Sequence, residues 1–356
     1  MTARPPIRVV AFGGGHGLSA SLRALRQSAR DLDLEITAIV TVGDDGGSSG
    51  RLRVERDALL PPGDLRQALA ALAADHPTTR LTADLMQHRF AAMPEPDVIR
   101  LPVQHIAPAA PHVDRVVTRG PRVERRADRS RDSLAGHAVG NLLLLGLIEM
   151  LGDPVRALDH AAEMLGAQGR VLPMALHAVG IEADVVAADG TASTIRGQHS
   201  VAVADGRVAA VRLVPGDPPA CPEAIQAVHA ADWLIFGPGS WYTSVLPHLL
   251  VPELAAAIVA SPARRLVTLN LSADKETTGL SAADHLAALR RYLPSLRVDA
   301  VLADAKWAGE PEPVRMAAQD LGAELVLAPV AVADGSPRHD PQSLGVALVP
   351  VLGAAR

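Results

Sequence analysis

The stretch Gly13-Gly14-Gly15-His16-Gly17 lies between an apolar β-branched run, Ile7 to Phe12, and a segment in which Leu18, Leu22 and Leu25 recur at helical spacing. A strand that ends in a glycine turn and feeds straight into a helix is the opening unit of a parallel sheet wrapped by crossover helices. Main-chain N–H groups in such a turn approach a phosphate closely, and the helix directs its positive end at the anion. The dinucleotide fingerprint needs a glycine where Leu18 stands, and no Walker lysine follows. The turn therefore points to a phosphate without naming a cofactor, and an NAD-linked oxidoreductase is disfavoured.

The same alternation continues along the chain. Ile36 to Val42 reads as a second buried strand, followed by an expected loop, Gly43-Asp44-Asp45-Gly46-Gly47-Ser48-Ser49-Gly50. Asp64 reads as the N-cap of a helix that buries Leu65, Leu69 and Leu72. Further strands are expected at Trp233 to Phe236, Leu266 to Leu269, Val298 to Leu302 and Leu325 to Ala328, and an apolar helix at Leu142 to Leu151. Short alternating segments between residues 182 and 215, punctuated by Asp189-Gly190 and Asp205-Gly206, predict a small antiparallel hairpin subdomain. The expected class is α/β: a Rossmann-like, doubly wound, mainly parallel sheet with helices on both faces. Residues 91 to 133 break the pattern with prolines and then seven arginines between Arg115 and Arg131, which reads as a surface insertion.

Composition narrows the function classes. Lys and Arg total 34 against 39 Asp and Glu, a net charge of -5, so there is no broad positive excess for a nucleic acid. Cys221 is the only cysteine, which excludes an intramolecular disulfide and a multi-thiolate metal site and fits a reducing compartment. The apolar run Leu142 to Ile148 is far short of the roughly 20 residues that span a bilayer, and residues 1 to 7 lack the apolar core of a signal peptide. A cytoplasmic protein without a membrane span is expected.

Three groups of residues carry the chemistry. Gly13 to Gly17 forms the first anion cradle. Asp44 and Asp45, at the end of the second strand, have the character of a pair that holds Mg²⁺ beside a diphosphate or bonds a ribose hydroxyl, with Ser48 and Ser49 as hydroxyl donors to phosphate oxygens. Gly237-Pro238-Gly239-Ser240, running on into Tyr242, Thr243 and Ser244, offers three amides and three hydroxyls at another strand end and reads as a second cradle, with Tyr242 against a base or sugar. His137, His177, His285 and His339 lack metal-ligand spacing and read as structural, and Cys221 has no catalytic signature around it. Two cradles at one edge of one sheet suit a diphosphate.

The motifs GGGHGLS at Gly13 to Ser19, TVGDDGGSSGRLR at Thr41 to Arg53, PPGDLRQALAALA at Pro61 to Ala73, GHAVGNLLL at Gly136 to Leu144 and GPGSWYTSVLPHLLVPEL at Gly237 to Leu254 resemble the YvcK family of gluconeogenesis factors. That family is a branch of a larger group containing 2-phospho-L-lactate transferase, CofD. The resemblance implies one Rossmann-like domain over residues 1 to 356 that binds UDP-sugars such as UDP-N-acetylglucosamine. It also implies a role linking carbon metabolism to cell-wall precursor supply and cell shape, a protein partner in precursor synthesis, and a homodimer. On the matching motifs it adds Asp64, Arg66 and Asn141 to the ligand-binding set. The transferase branch implies a different activity: metal-dependent transfer of a phospholactyl-type group from a guanosine diphosphate donor, with Asp44 and Asp45 at the metal-binding position. Three departures stand out. His16 replaces the usual threonine of the first glycine loop, residues 91 to 133 are longer than the family connection, and the QPGET-like stretch appears as Ala273-Asp274-Lys275-Glu276-Thr277.

Overall fold

The computed structural model describes residues 5 to 92 and 133 to 354; almost all of the expected insertion lies outside the described residues. Seven strands form a parallel sheet: β1 (Ile7–Gly13), β2 (Leu34–Val40), β3 (Arg170–Pro173), β7 (Trp233–Phe236), β8 (Arg264–Thr268), β9 (Ala300–Asp304) and β10 (Glu324–Ala328). The remaining three, β4 (Gly180–Val186), β5 (Ala192–Arg196) and β6 (Arg207–Val214), make an antiparallel sheet ordered β5-β4-β6. This is the α/β class expected from the sequence, small antiparallel unit included.

The strand order of the large sheet, β10-β9-β8-β7-β1-β2-β3, decides where a ligand can sit. From β1 the chain winds outward through β2 and β3, then returns to place β7 on the other side of β1 and winds the opposite way. The crevice between β1 and β7 is the topological switch point, outside whose carboxyl ends open α/β sheets bind ligands. In-register pairing of Phe12 with Phe236 sets these two strands level, and the two rings stack with centroids 4.8 Å apart. With only three phenylalanines in the chain, two are buried together in the core where β1 meets β7.

Among the described residues there are twelve α-helices, and five of them shape the switch-point edge: α1 (Gly15–Ser28), α2 (Gly47–Arg56), α3 (Pro62–Leu72), α5 (Val139–Leu151) and α7 (Gln198–Ala202). Leu18, Leu22 and Leu25 of α1 are buried, as their spacing predicts. On one face α1 packs against α3 and the C-terminal helix α12 (Pro341–Gly353), while α8 (Pro222–Ala230) packs against β1 and β3. No single helix among the described residues is long and apolar enough to cross a membrane.

Two local expectations change. The second half of Gly43 to Gly50 is not loop: α2 begins at Gly47, and Leu52 packs in a small cluster with Ala58 and Leu145 that holds the helix down. Asp64 is not an N-cap either. The helix starts at Pro62, where a missing N–H costs nothing, and Asp64 lies inside the first turn with its side chain turned to the sheet. The short strand β3, four residues ending in proline, carries no readable alternation and was not anticipated.

Candidate functional site

The two glycine-rich stretches meet. A Cβ on Gly17 would collide with the Pro238 carbonyl oxygen and the Gly239 Cα, so glycine alone permits this approach of α1 to the loop after β7. Gly15 opens α1 at φ +55, a left-handed value that favours glycine, and the helix has no side-chain cap. The Gly15 N–H is taken by the Asp64 carboxyl, and Gly15 and His16 line the cleft at this helix start. Gly237 and Gly239 also take left-handed φ values, +75 and +147, around the cis Gly237-Pro238 bond.

The second cradle has fewer free amides than expected. Pro238 has none, and the Gly239 N–H donates to Asn270 Oδ1 at 2.8 Å, while Asn270 Nδ2 donates back to the Gly239 carbonyl at 2.8 Å. Residues Trp241–Val245 form a π-helical turn in which the amides of Ser244 and Val245 both donate to the Ser240 carbonyl. This turn swings Ser240, Thr243 and Ser244 toward the crevice and Tyr242 away from it. Tyr242 is buried in the hydrophobic core, a correction to its expected place against a base or sugar.

A cleft of about 400 Å³ opens at this edge. Of the residues expected from the sequence, Gly15, His16, Asp44, Ser48, Ser49, Asp64, Arg66, Asn141, Ser240, Thr243 and Ser244 line it. Arg89, Gln198 and His199 line it as well and were not anticipated. An adjoining cleft of about 490 Å³ shares His16 and Ser240 and is lined by Gly17, Pro238, Gly239, Asn270 and Arg338. Gly13 and Gly14 lie behind both, packed against Leu18 and against Thr41 and Asp64.

The adjacent acids do not act together. Asp44 faces the cleft, its Oδ1 accepting from Gly46 N–H at 3.0 Å. Asp45 turns to the antiparallel layer, where its Oδ1 accepts from the His199 N–H at 2.9 Å at the start of α7. The expected Asp44–Asp45 pair therefore does not fit a shared Mg²⁺. The carboxylates that do share the cleft are Asp44 and Asp64. Burial, reinforced by the Asp44 charge, pushes the Asp64 carboxyl up to about 7, against the hydrogen bond that its Oδ2 accepts from Thr41 Oγ1 at 3.1 Å. Among the described residues, no group of three or more His, Cys, Asp and Glu side chains gathers around a metal-sized space.

The opposite wall is cationic and polar. Arg66 is 3% exposed, and burial, followed by the neighbouring Arg89 charge, lowers its pKa to about 10. Asn141 Nδ2 donates to Ser48 Oγ at 2.9 Å, and Ser48 Oγ lies 2.9 Å from His137 Nδ1. Ser49 Oγ accepts from the Gly63 N–H at 3.0 Å, so both serine hydroxyls tie α2 to its neighbours. His137 is thus a structural partner, as its surroundings in the sequence suggest. Beneath the 241 to 245 turn, Glu276 is 1% exposed and accepts from the Tyr242 N–H at 2.8 Å. Burial pushes this carboxyl up to about 7.

Comparison with known proteins identifies relatives that share this architecture. The family described as 2-phospho-L-lactate transferase CofD matches residues 9 to 328. A Mycobacterium tuberculosis relative is 45% identical over 347 residues, covering 96% of this chain and 89% of its own. A protein named gluconeogenesis factor from Bacillus subtilis is 34% identical, covering 86% of this chain and 80% of its own. The crystal structure of a UPF0052 family protein from Bacillus halodurans superposes with a TM-score of 0.74 at 33% identity, covering 98% of this chain and all of that one. The chain therefore belongs to the CofD family, in its gluconeogenesis-factor (YvcK, UPF0052) branch.

Proposed function

We propose that this protein is a cytoplasmic regulator that binds a UDP-sugar and couples carbon metabolism to the supply of cell-wall precursors. One observation carries the binding part: the first turn of α1 and the loop 237 to 240 converge at the β1–β7 switch point, where an open α/β sheet presents amides to an anion. In this reading the pyrophosphate lies beside His16 and Ser240, which are common to both clefts, and nucleoside and sugar extend into the two cavities on either side. The regulatory part rests on family membership and on the relatives' name.

Ligand binding stabilises the native state by RT ln(1 + [L]/Kd), about 2.7 kcal/mol at a hundredfold excess over Kd. UDP-N-acetylglucosamine is expected to raise the melting temperature, and GDP and NAD are not. Absence of a shift with every uridine nucleotide tested removes this reading.

A second reading, a transferase acting on a nucleotide-diphosphate-linked group, draws on the CofD match and on the two acids sharing the cleft. In that reading Asp44 and Asp64 hold Mg²⁺, whose charge offsets that of the phosphates. Mg²⁺-dependent consumption of a nucleotide-linked donor, lost in Asp44→Asn, would establish it over the first.

A further inference from the structure

Besides the proposed pyrophosphate cradle, the cleft contains a cluster of positive groups that its acids offset only in part. Helix α2 starts at Gly47 with Gly46 as N-cap and no side-chain cap. Its first intrahelical bond runs from Gly50 N–H to the Gly46 carbonyl at 3.0 Å, which leaves the amides of Gly47, Ser48 and Ser49 without an intrahelical acceptor. The hydroxyls that cap such ends are occupied elsewhere, Ser48 with Asn141 and His137 and Ser49 with Gly63.

Two guanidinium groups line the same cleft. Arg66 runs its stem over Gly140, where a Cβ would stand 2.8 Å from the Arg66 Cδ. Its Nη1 donates to the Gln87 amide oxygen and, at 3.5 Å, to the Met86 carbonyl, and its buried Nε has no partner among the described residues. Arg89 is held by the isolated antiparallel bridge between Arg89 and Ala138 and donates from Nη1 to the Gly136 carbonyl at 2.8 Å. All these partners are neutral. The Asp44 and Asp64 charges act on Arg66, while their hydrogen bonds go to the Gly46 amide at the head of α2 and to Thr41, so the acids offset the two guanidinium groups only in part. The buried Asn141 Oδ1 is a further unpartnered atom in the lining. Like charges placed side by side at a helix N-terminus, one of them almost fully buried with a donor unused, favour an anion that offsets the remaining desolvation and repulsion.

We infer that the N-terminus of α2, Arg66 and Arg89 form a second oxyanion site, distinct from the cradle at Gly15 to Gly17 and Gly237 to Ser240. Its occupant is a phosphate or carboxylate group, carried by the part of a nucleotide ligand beyond the pyrophosphate or arriving as a free oxyanion. Only the first source rests on the nucleotide reading above.

The test uses the full chain and the exposed Arg89, whose replacement leaves the buried Arg66 in place. UDP-glucuronate and UDP-glucose differ by one carboxylate, and calorimetric titration gives the ratio of their dissociation constants. A carboxylate seated in the site makes UDP-glucuronate about tenfold tighter, and Arg89→Gln returns the ratio to about one. In parallel, melting curves are compared in inorganic phosphate and in chloride at matched ionic strength. A free oxyanion raises the melting temperature of the unaltered chain by about 2 °C and not that of Arg89→Gln. Either Arg89-dependent effect supports the site and identifies its source. Equal affinity for the two sugars together with no Arg89-dependent phosphate effect overturns it. If no uridine nucleotide binds at all, the nucleotide reading fails while the phosphate arm still decides the site.

Discussion

Asn270 holds Gly239 from both sides, accepting its N–H and donating to its carbonyl, each at 2.8 Å. A side chain from the segment after β8 thereby fixes the loop after β7 and lines the cleft beside it. Asn270→Ala is expected to cost about 1–2 kcal/mol in denaturant unfolding, since it leaves two backbone groups unpaired. The same change is expected to weaken UDP-sugar binding severalfold in calorimetry. Unchanged affinity would show that the loop keeps its shape without the clamp.

Gly17 and Gly146 are both helical glycines in opposite situations. A Cβ on Gly17 meets the Pro238 and Gly239 backbone, whereas one on exposed Gly146 in α5 meets nothing within 4 Å. Gly17→Ala is expected to destabilise by about 1–3 kcal/mol through forced separation of α1 from the loop. Gly146→Ala is expected to stabilise by about 0.5–1 kcal/mol through helix propensity. Urea midpoints of the two variants check the pair.

Asp44 and Asp45, adjacent in sequence, are expected to give separable phenotypes. Asp45 caps α7 from a distance through the His199 amide, so Asp45→Ala should lower stability by about 0.5–2 kcal/mol, as loss of a cap does. Asp44→Asn should alter ligand affinity with little change in melting temperature, because Asp44 faces the cleft. A loss of ligand binding in Asp45→Ala larger than in Asp44→Asn would contradict this division.

Glu276 predicts a pH dependence. Its carboxyl is raised from 4.5 to about 7 by burial, so between those values the folded chain holds a proton that the unfolded chain has released. The stability contributed by the protonated group is complete below about pH 4.5 and is lost as pH rises through about 7. Glu276→Gln keeps an acceptor for the Tyr242 amide and removes the charge. It is expected to match the parent chain at pH 5 and exceed it by up to about 3 kcal/mol at pH 8. Parallel stability curves for the two proteins across this range would refute the assignment.

Much of the fold was legible in the sequence. Ile7 to Phe12 and Trp233 to Phe236 read as strands because parallel strands covered on both faces are near-continuous apolar runs, interrupted here only by Arg8, and both are strands. The layer at residues 182 to 215 was legible from its alternation, seen in the buried and half-buried positions of β4. The start of α2 was not, because Gly47-Ser48-Ser49-Gly50 has loop propensity and is made helical by what Leu52 packs against. Nor was the role of Arg89, whose side chain reaches the cleft through a bridge to Ala138, a residue 49 positions later (138 − 89).

The sequence by itself determined most element types and where the glycine-rich turns fall, because burial pattern and glycine content act over a few residues. Only the tertiary structure decided which amides remain free, that Asp44 pairs with Asp64 in place of Asp45, and that Tyr242 belongs to the core. Those outcomes depend on the strand order that sets β7 beside β1 and on contacts between residues more than two hundred positions apart. Side-chain direction is fixed there by packing, to which local propensity is blind.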